Sequence, residues 1–223
     1  MAIRGETQRF LPEQVVAMIL QKIKQICAKE GLGQNEVVIS VPTYYTEPER
    51  TALVNAARIA QLNLVRVINE SAAIASDYGI FRRAEFTSGP RNVCFVDFGH
   101  CSAGAFVVSF GAEKARIVSQ IYERNLGTRD LDWKLLEFYC KMIKEKFGSD
   151  VIKKDKPRLR LLDAIEKQRK VLSANSEAAI NVDCVVEDDD LNYLMTRDQF
   201  EEIIAPVIDE FRIMLVKLRS GNT

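Results

Sequence analysis

The sequence is poor in the residues that most catalytic centres need. His100 is the single histidine among 223 residues. That excludes a His-rich metal site and most Ser-His-Asp hydrolases. Five cysteines, Cys27, Cys94, Cys101, Cys140 and Cys184, are scattered, and none fall at zinc-ligand spacing. An odd, dispersed set reads as reduced thiols in a cytoplasmic protein and excludes a disulfide scaffold. Charge of either sign is not in excess: 31 Lys and Arg face 31 Asp and Glu. A broad nucleic-acid surface is therefore not expected. No apolar run reaches the ~18 residues of a membrane span. The start, Met1-Ala2-Ile3-Arg4, lacks the apolar core of a signal peptide. No nucleic-acid or membrane partner is assigned. Repeats at solenoid periods and low-complexity tracts are also lacking.

What is present is globular. Hydrophobic residues make up 47% and charged residues 28%, enough apolar material to bury a core and too much for disorder. Apolar spacing predicts a helix over Pro12 to Lys29, with Val15, Ile19, Ile23 and Ile26 recurring and Gly31 capping the end. Val37 to Val41 and Leu64 to Ile68 read as strands covered on both faces. Thr46 and Glu49 form a capping box for an alanine-rich helix through Ala52, Ala56, Ala57 and Ala60. Ser71 to Tyr78 reads as a short helix ended by Gly79. This alternation predicts a parallel α/β layer.

Phe81 to Arg91 reads as a loop or boundary. Three strands then follow in quick succession: Asn92 to Phe98, Gly104 to Phe110 and Lys114 to Tyr122. Their short links predict antiparallel neighbours. Helices are predicted over Asp130 to Phe147 and Pro157 to Ala174. A hairpin follows over Glu177 to Val186 and Leu191 to Met195, around the acidic turn Glu187 to Asp190. Thr196 and Gln199 cap a last helix with an apolar stripe of Phe200, Ile203, Val207, Phe211 and Leu218, and Pro206 is expected to kink it.

Three places can carry chemistry. The first is Val96-Asp97-Phe98-Gly99-His100-Cys101-Ser102-Ala103-Gly104. An acid ends a strand read as buried, and a glycine turn with a hydroxyl follows. Such a turn aims backbone N–H groups at phosphate, and the acid can hold magnesium or its waters. A plain hairpin whose Asp97 caps its own turn fits as well. The second is Glu166, Arg169, Lys170 and Ser173, one polar helix face opposite Leu161, Ile165 and Leu172. It suits a base and ribose, or simply solvent and helical ion pairs. The third is Asn69-Glu70-Ser71, beyond the carboxyl end of a strand, where α/β ligands sit. Glu70 can hold a magnesium-bound water or compensate a helix N-terminus. Lys153 to Arg158 reads as a charged loop rather than an anion patch.

Taken in order, these segments resemble the nucleotide-binding domain of the seventy-kilodalton heat-shock chaperone superfamily, from about Phe10 to Leu218. The specific blocks are Val41 to Arg50, Ala56 to Asn63, Val67 to Ala73 and Val171 to Asn175. Ala56 to Asn63, Tyr78 to Phe81, Val96 to His100 and Leu172 to Asn175 are most similar to the hundred-and-ten-kilodalton class. An actin-fold sugar kinase is the third reading, and the Val41 to Arg50 block argues against it.

The resemblance implies an α/β, actin-like ATPase fold with ATP or ADP and magnesium between two lobes. Asp97 and Gly99 match the acid and first glycine of the second phosphate loop, and Ser102 stands for its threonine. His100 and Cys101 replace two glycines, and Gly104 replaces an acid. Glu70 matches the glutamate near the magnesium. Asp97 and Glu70 would hold that metal through water and serve as the catalytic acids. Gly127 keeps one glycine of the following turn, and Thr128 replaces its partner. Glu166, Arg169, Lys170 and Ser173 match adenosine-gripping positions. Loss of the acid predicts that binding outlasts turnover.

The chain begins after the family's first phosphate hairpin and catalytic lysine, and stops before the later adenosine loop. It therefore reads as a fragment, expected to bind ATP weakly or not at all. Residues 1–82 would be the second part of lobe I (subdomain IA), 83–90 a linker and 91–126 part of subdomain IIA. Residues 127–204 would be subdomain IIB, and 205–223 a helix returning toward IIA. The implied function is that of a cochaperone: nucleotide-exchange factor and holdase for a seventy-kilodalton-type partner, meeting unfolded polypeptide through missing domains. The alternative is an active chaperone ATPase of the seventy-kilodalton type.

Overall fold

A computed structural model describes residues 2–3, 6–7, 9–32, 36–87, 89–186 and 189–220. The chain divides into two units, residues 1–93 with 108–118, and residues 94–107 with 119–223.

The first unit opens with a small antiparallel hairpin, β1 (Ala2–Ile3) and β2 (Glu6–Thr7). Helix α1 (Pro12–Lys29) follows, with Pro12 in its first turn and the Leu11 N–H donated to Gln14 Oε1 at 2.8 Å. Strands β3 (Val37–Val41) and β4 (Leu64–Asn69) pair in parallel, with helix α2 (Glu47–Ile59) as the crossover. The Thr46 N–H donates to Glu49 Oε2 at 2.6 Å, which completes the expected start of α2. Helix α3 (Glu70–Phe81) then leaves β4 directly.

Small residues hold α1 to α2: Ala17, Ala56 and Ala60 are buried, with Val16, Leu20 and Leu62 beside them. The predicted stripe of α1 lies elsewhere. Val15, Ile19, Ile23 and Ile26 are all exposed, as is Met18. The strands are not covered on both faces as expected: Val38 and Val65 are more than half exposed. Gly79 does not end α3. A side chain there would meet the Phe110 ring at 3.2 Å, so glycine lets the ring pack on a helix that continues to Phe81. Within the expected loop, a short 3-10 turn (Arg83–Phe86) buries Phe86, which stacks on Phe110 at 4.9 Å between centroids.

Strands β5 (Arg91–Phe98), β6 (Ala103–Phe110) and β7 (Ala115–Glu123) form one sheet with β6 in the middle. Their links are too short for a crossover, so the neighbours are antiparallel. This corrects one expectation: β5 is a sheet edge with Val96 and Asp97 exposed, and the buried strand is β6.

The second unit adds α4 (Thr128–Phe147), α5 (Asp155–Leu172), the hairpin β8 (Glu177–Val186) and β9 (Asp189–Thr196), and α6 (Arg197–Ser220), which runs through Pro206. Residues Glu187 and Asp188 of the acidic turn lie outside the described residues. Leu135, Leu136 and Ile143 of α4 pack with Leu161, Ile165 and Leu172 of α5 and with Ile180, Leu191 and Met195 of the hairpin. Each such side chain contributes about 1.5–3 kcal/mol by burial. A second cluster joins Ala103 and Ala105 of β6 to Leu126, Leu131 and the α6 residues Ile204, Val207, Met214 and Leu218. Phe98 meets Phe211 edge-on, 4.8 Å between centroids.

The first cluster contains one polar link. Tyr139, fully buried, donates its hydroxyl to Gln168 Oε1 at 2.7 Å, and Gln168 Nε2 donates to the Ala178 carbonyl at 2.9 Å. Burial pushes the Tyr139 hydroxyl well above its ordinary range; the Gln168 bond opposes this, and Tyr193 adds to it. An unfolded tyrosine ionises near pH ~10 while the buried one keeps its proton, so stability is lost as pH rises above that value. Tyr139→Phe is expected to cost about 1 kcal/mol at neutral pH by stranding Gln168 Oε1. It should also flatten the alkaline loss of stability. Urea denaturation from about pH 8 to about pH 11 checks both, and parallel profiles for the two proteins would contradict the second.

Candidate functional site

The turn between β5 and β6 is built against the start of α4. The Gly99 N–H donates to the Ser102 carbonyl at 2.9 Å and closes a two-residue hairpin loop of His100 and Cys101. Thr128 N–H donates to the Gly99 carbonyl, and Arg129 N–H to the His100 carbonyl, each at 2.9 Å. Two carbonyls of the turn thus satisfy donors of the first helical turn. Gly127 makes this approach possible. A Cβ there would overlap the His100 carbonyl oxygen and lie 2.6 Å from its carbon and 2.9 Å from Cys101 N. Asp130 steadies the junction by accepting the Gly127 N–H at 2.8 Å.

The turn leaves the N–H groups of His100 and Cys101 without a backbone acceptor among the described residues. His100 Nδ1 lies 3.4 Å from Thr128 Oγ1, and Arg129 Nη1 lies 3.6 Å from Cys101 Sγ. The N–H groups of His100 and Cys101, with the Arg129 guanidinium beside them, form a donor set that fits a phosphate group. Packing accounts for glycine at position 104. A Cβ there would lie 2.6 Å from the Tyr122 ring, so the ring on β7 fills the space that a longer side chain at 104 would need.

The polar face of α5 adjoins this junction through a residue that the sequence pattern did not single out. Asp132, one turn into α4 and buried, receives Arg169 Nε at 2.6 Å on Oδ1 and Nη2 at 3.1 Å on Oδ2. This planar, two-bond pairing is shielded, with the side chains 17% and 10% exposed. Glu166, Lys170 and Ser173 are exposed, and Leu161, Ile165 and Leu172 are buried as spacing predicted. Lys170 Nζ donates to Glu166 Oε1 at 2.6 Å, and Ser173 Oγ to the Lys170 carbonyl at 2.6 Å. The Glu166 carboxyl is held below the usual carboxylate range, first by that hydrogen bond and the Lys170 charge, then by Arg169 and His100. No spacing rule flags Asp132; its one sequence signal is an acid among apolar positions of α4, at Leu131, Leu135 and Leu136.

In the first unit, the blocks Val41 to Arg50 and Val67 to Ala73 come together. Arg50 Nη2 donates to Asn69 Oδ1 at 2.8 Å and its Nε to the Tyr45 carbonyl at 3.0 Å, while Thr43 and Ser71 hydroxyls lie 3.3 Å apart. Glu70 is half-buried at the start of α3, and Asp97 is exposed near the end of β5. Among the described residues, no three His, Cys, Asp or Glu cluster as metal ligands, and no helix is long and apolar enough to cross a membrane.

The sequence profile of the Hsp70 protein family matches residues 1–218. The chain belongs to the Hsp70 family. Heat shock 70 kDa protein 16 of Arabidopsis thaliana is 37% identical over 92% of this chain and 27% of its own length. The 97 kDa heat shock protein of Mesocentrotus franciscanus is 38% identical over 95% and 24%. Heat shock protein 110 of Caenorhabditis elegans is 36% identical over 96% and 28%. The chain thus spans about a quarter of the length of these curated relatives. Its helices and strands are consistent with the α/β, actin-like ATPase fold of the Hsp70 family.

Three substitutions test this junction. Gly127→Ala should destabilise the second unit by about 1–3 kcal/mol, because turn and helix must part. Asp132→Ala should cost about 1.5–3 kcal/mol by leaving the Arg169 guanidinium shielded and unpaired. Asp132→Ala combined with Arg169→Met should cost less than the sum of the single changes. Chemical denaturation measures all of them, and strictly additive losses would show that the pair is not coupled.

Proposed function

We propose that this chain is part of the ATP-binding domain of a heat-shock cochaperone, a nucleotide-exchange factor and holdase for a seventy-kilodalton-type partner in the cytoplasm. One observation carries the reading. A continuous set of contacts runs from the Gly99–Ser102 turn through Gly127, Thr128 and Arg129 to Asp132, and then to Arg169 on α5. It joins an anion-fitting turn to an exposed helix face in an Hsp70-family chain. Gly99, His100, Cys101, Ser102, Gly127 and Thr128 would face phosphate. Glu166, Lys170 and Ser173 would face ribose and base, with Arg169 braced by Asp132. Asp97 would hold a magnesium ion through water, which positions the phosphates. Similarity to a heat shock protein 110 favours the exchange role.

In this reading residues 1–82 belong to lobe I, 83–90 link the lobes, and 91–126, 127–204 and 205–223 make up most of lobe II. The exposed stripe of α1 and the open faces of β3 and β4 support the further proposal that the chain is a fragment, lacking the first phosphate hairpin and the later adenosine loop. Losing three hydrogen bonds to charged groups, at about 1.5–3 kcal/mol each, costs about three orders of magnitude in affinity or more.

Titration of this chain with magnesium-ATP should therefore give a dissociation constant in the millimolar range, without measurable hydrolysis. A value in the low micromolar range or below would overturn the fragment reading. Sustained turnover would favour an active chaperone ATPase. Asp97→Asn should weaken binding only when magnesium is present.

A further inference from the structure

We propose that the groove between α5 and the free edge of β8 takes an extended polypeptide segment, added as a strand beside the β8–β9 hairpin. The proposal does not depend on the nucleotide reading. The register of the hairpin decides which main-chain groups face the groove. The Arg197 N–H donates to the Ser176 carbonyl at 2.8 Å, so these two residues form a hydrogen-bonded pair. The Thr196 N–H turns away from β8 and donates to Gln199 Oε1 at 3.2 Å. Bonded and non-bonded pairs alternate along an antiparallel ladder. Ala178, Ile180 and Val182 therefore bond to Met195, Tyr193 and Leu191, and the N–H and C=O groups of Ala179 and Asn181 point outward. Among the described residues these outward groups have no hydrogen-bond partner.

The groove beside them has a volume of about 520 Å³. Arg160, Ala164, Lys167 and Val171 of α5 form one wall, three and four residues apart and so on one helix flank. Ala179 and Asn181 form the other. Arg160 Nη1 donates to the Asp183 carbonyl at 3.2 Å, and the register breaks after Val182, so the open edge stops there. Gln168 Nε2, on the Ala178 carbonyl at 2.9 Å, fastens α5 to the strand. The stretch Ala179 to Asn181 has none of the charges, prolines or bulges that blunt a solvent-facing edge. An edge strand flanked by a helix is the arrangement used in strand addition. Main-chain bonds hold the guest, and its alternate side chains meet the helix. Those side chains would rest on Ala164, Val171 and the Lys167 stem, which favours small or aliphatic residues.

The test is amide exchange and NMR titration of the wild-type chain with a capped pentapeptide of alternating threonine and valine at millimolar concentration. In the free chain the Ala179 and Asn181 amides should exchange with solvent faster than the Ile180 amide, and the peptide should slow both. Two control peptides carry N-methyl groups, one on the valine amides and one on the threonine amides. One set should weaken binding about tenfold by removing main-chain bonds, and the other should leave it unchanged, because alternate amides of a strand face opposite ways. Asn181→Pro removes an outward N–H without touching the ladder to β9 and should also weaken binding. Val171→Asp, on the exposed helix wall, should do the same. No binding of the pentapeptide, equal effects of the two methylated peptides, or wild-type affinity in both variants overturns the proposal. Amides of Ala179 and Asn181 already slow in the free chain overturn it as well, by showing that the edge is covered. Protection that grows with the concentration of the chain alone would place a second copy in the groove instead.

Discussion

The second unit depends on the close approach of two stretches of backbone at Gly127. Because that residue has no Cβ, the His100 carbonyl reaches the start of α4 and accepts a helical N–H, with the Gly99 carbonyl beside it. The contact fixes where α4 begins and how it is rotated. Helical geometry then does the rest. One turn on, Asp132 is presented to Arg169 of α5. A further turn brings Leu135, Leu136 and Tyr139 into the core against Leu161 and Ile165. Site and core thus hang on one helix, and disturbing the turn disturbs both.

The ion pair between Asp132 and Arg169 has two consequences. It closes the gap between α4 and α5 at the end nearest the turn, where shielding makes a matched pair far better than either charge alone. It also commits two donors of Arg169, so the open part of the polar face consists of Glu166, Lys170 and Ser173. The polar face left open is therefore smaller than helical spacing implies.

The two units are held together by different materials. The second buries large side chains on α4, α5 and the β8–β9 hairpin, with Tyr139 and Gln168 satisfying each other inside. The first relies on alanines between α1 and α2, which bring backbones close but bury little area per residue. Most of its bulky aliphatic side chains on α1 face outward. Its order comes instead from polar links that join distant blocks, such as Arg50 with Asn69.

Local features were legible in the sequence. The bounds of α1, β3 and β8, the starts of α2 at Thr46 and of α6 at Thr196, and the burial of Leu161, Ile165 and Leu172 all follow from spacing and caps. These depend on neighbours within about four residues. The family, too, is written in short ordered blocks. Tertiary structure alone decided which strand of the β5–β7 sheet is central, so Asp97 lies on an exposed edge. It decided that Gly79 admits Phe110 instead of ending a helix, and that Gly104 yields its space to Tyr122. It also chose Asp132 as the partner of Arg169, 37 positions away. A periodic pattern says that a residue has a face, not what will stand opposite it. That partner is set by how whole elements pack, which no local spacing records.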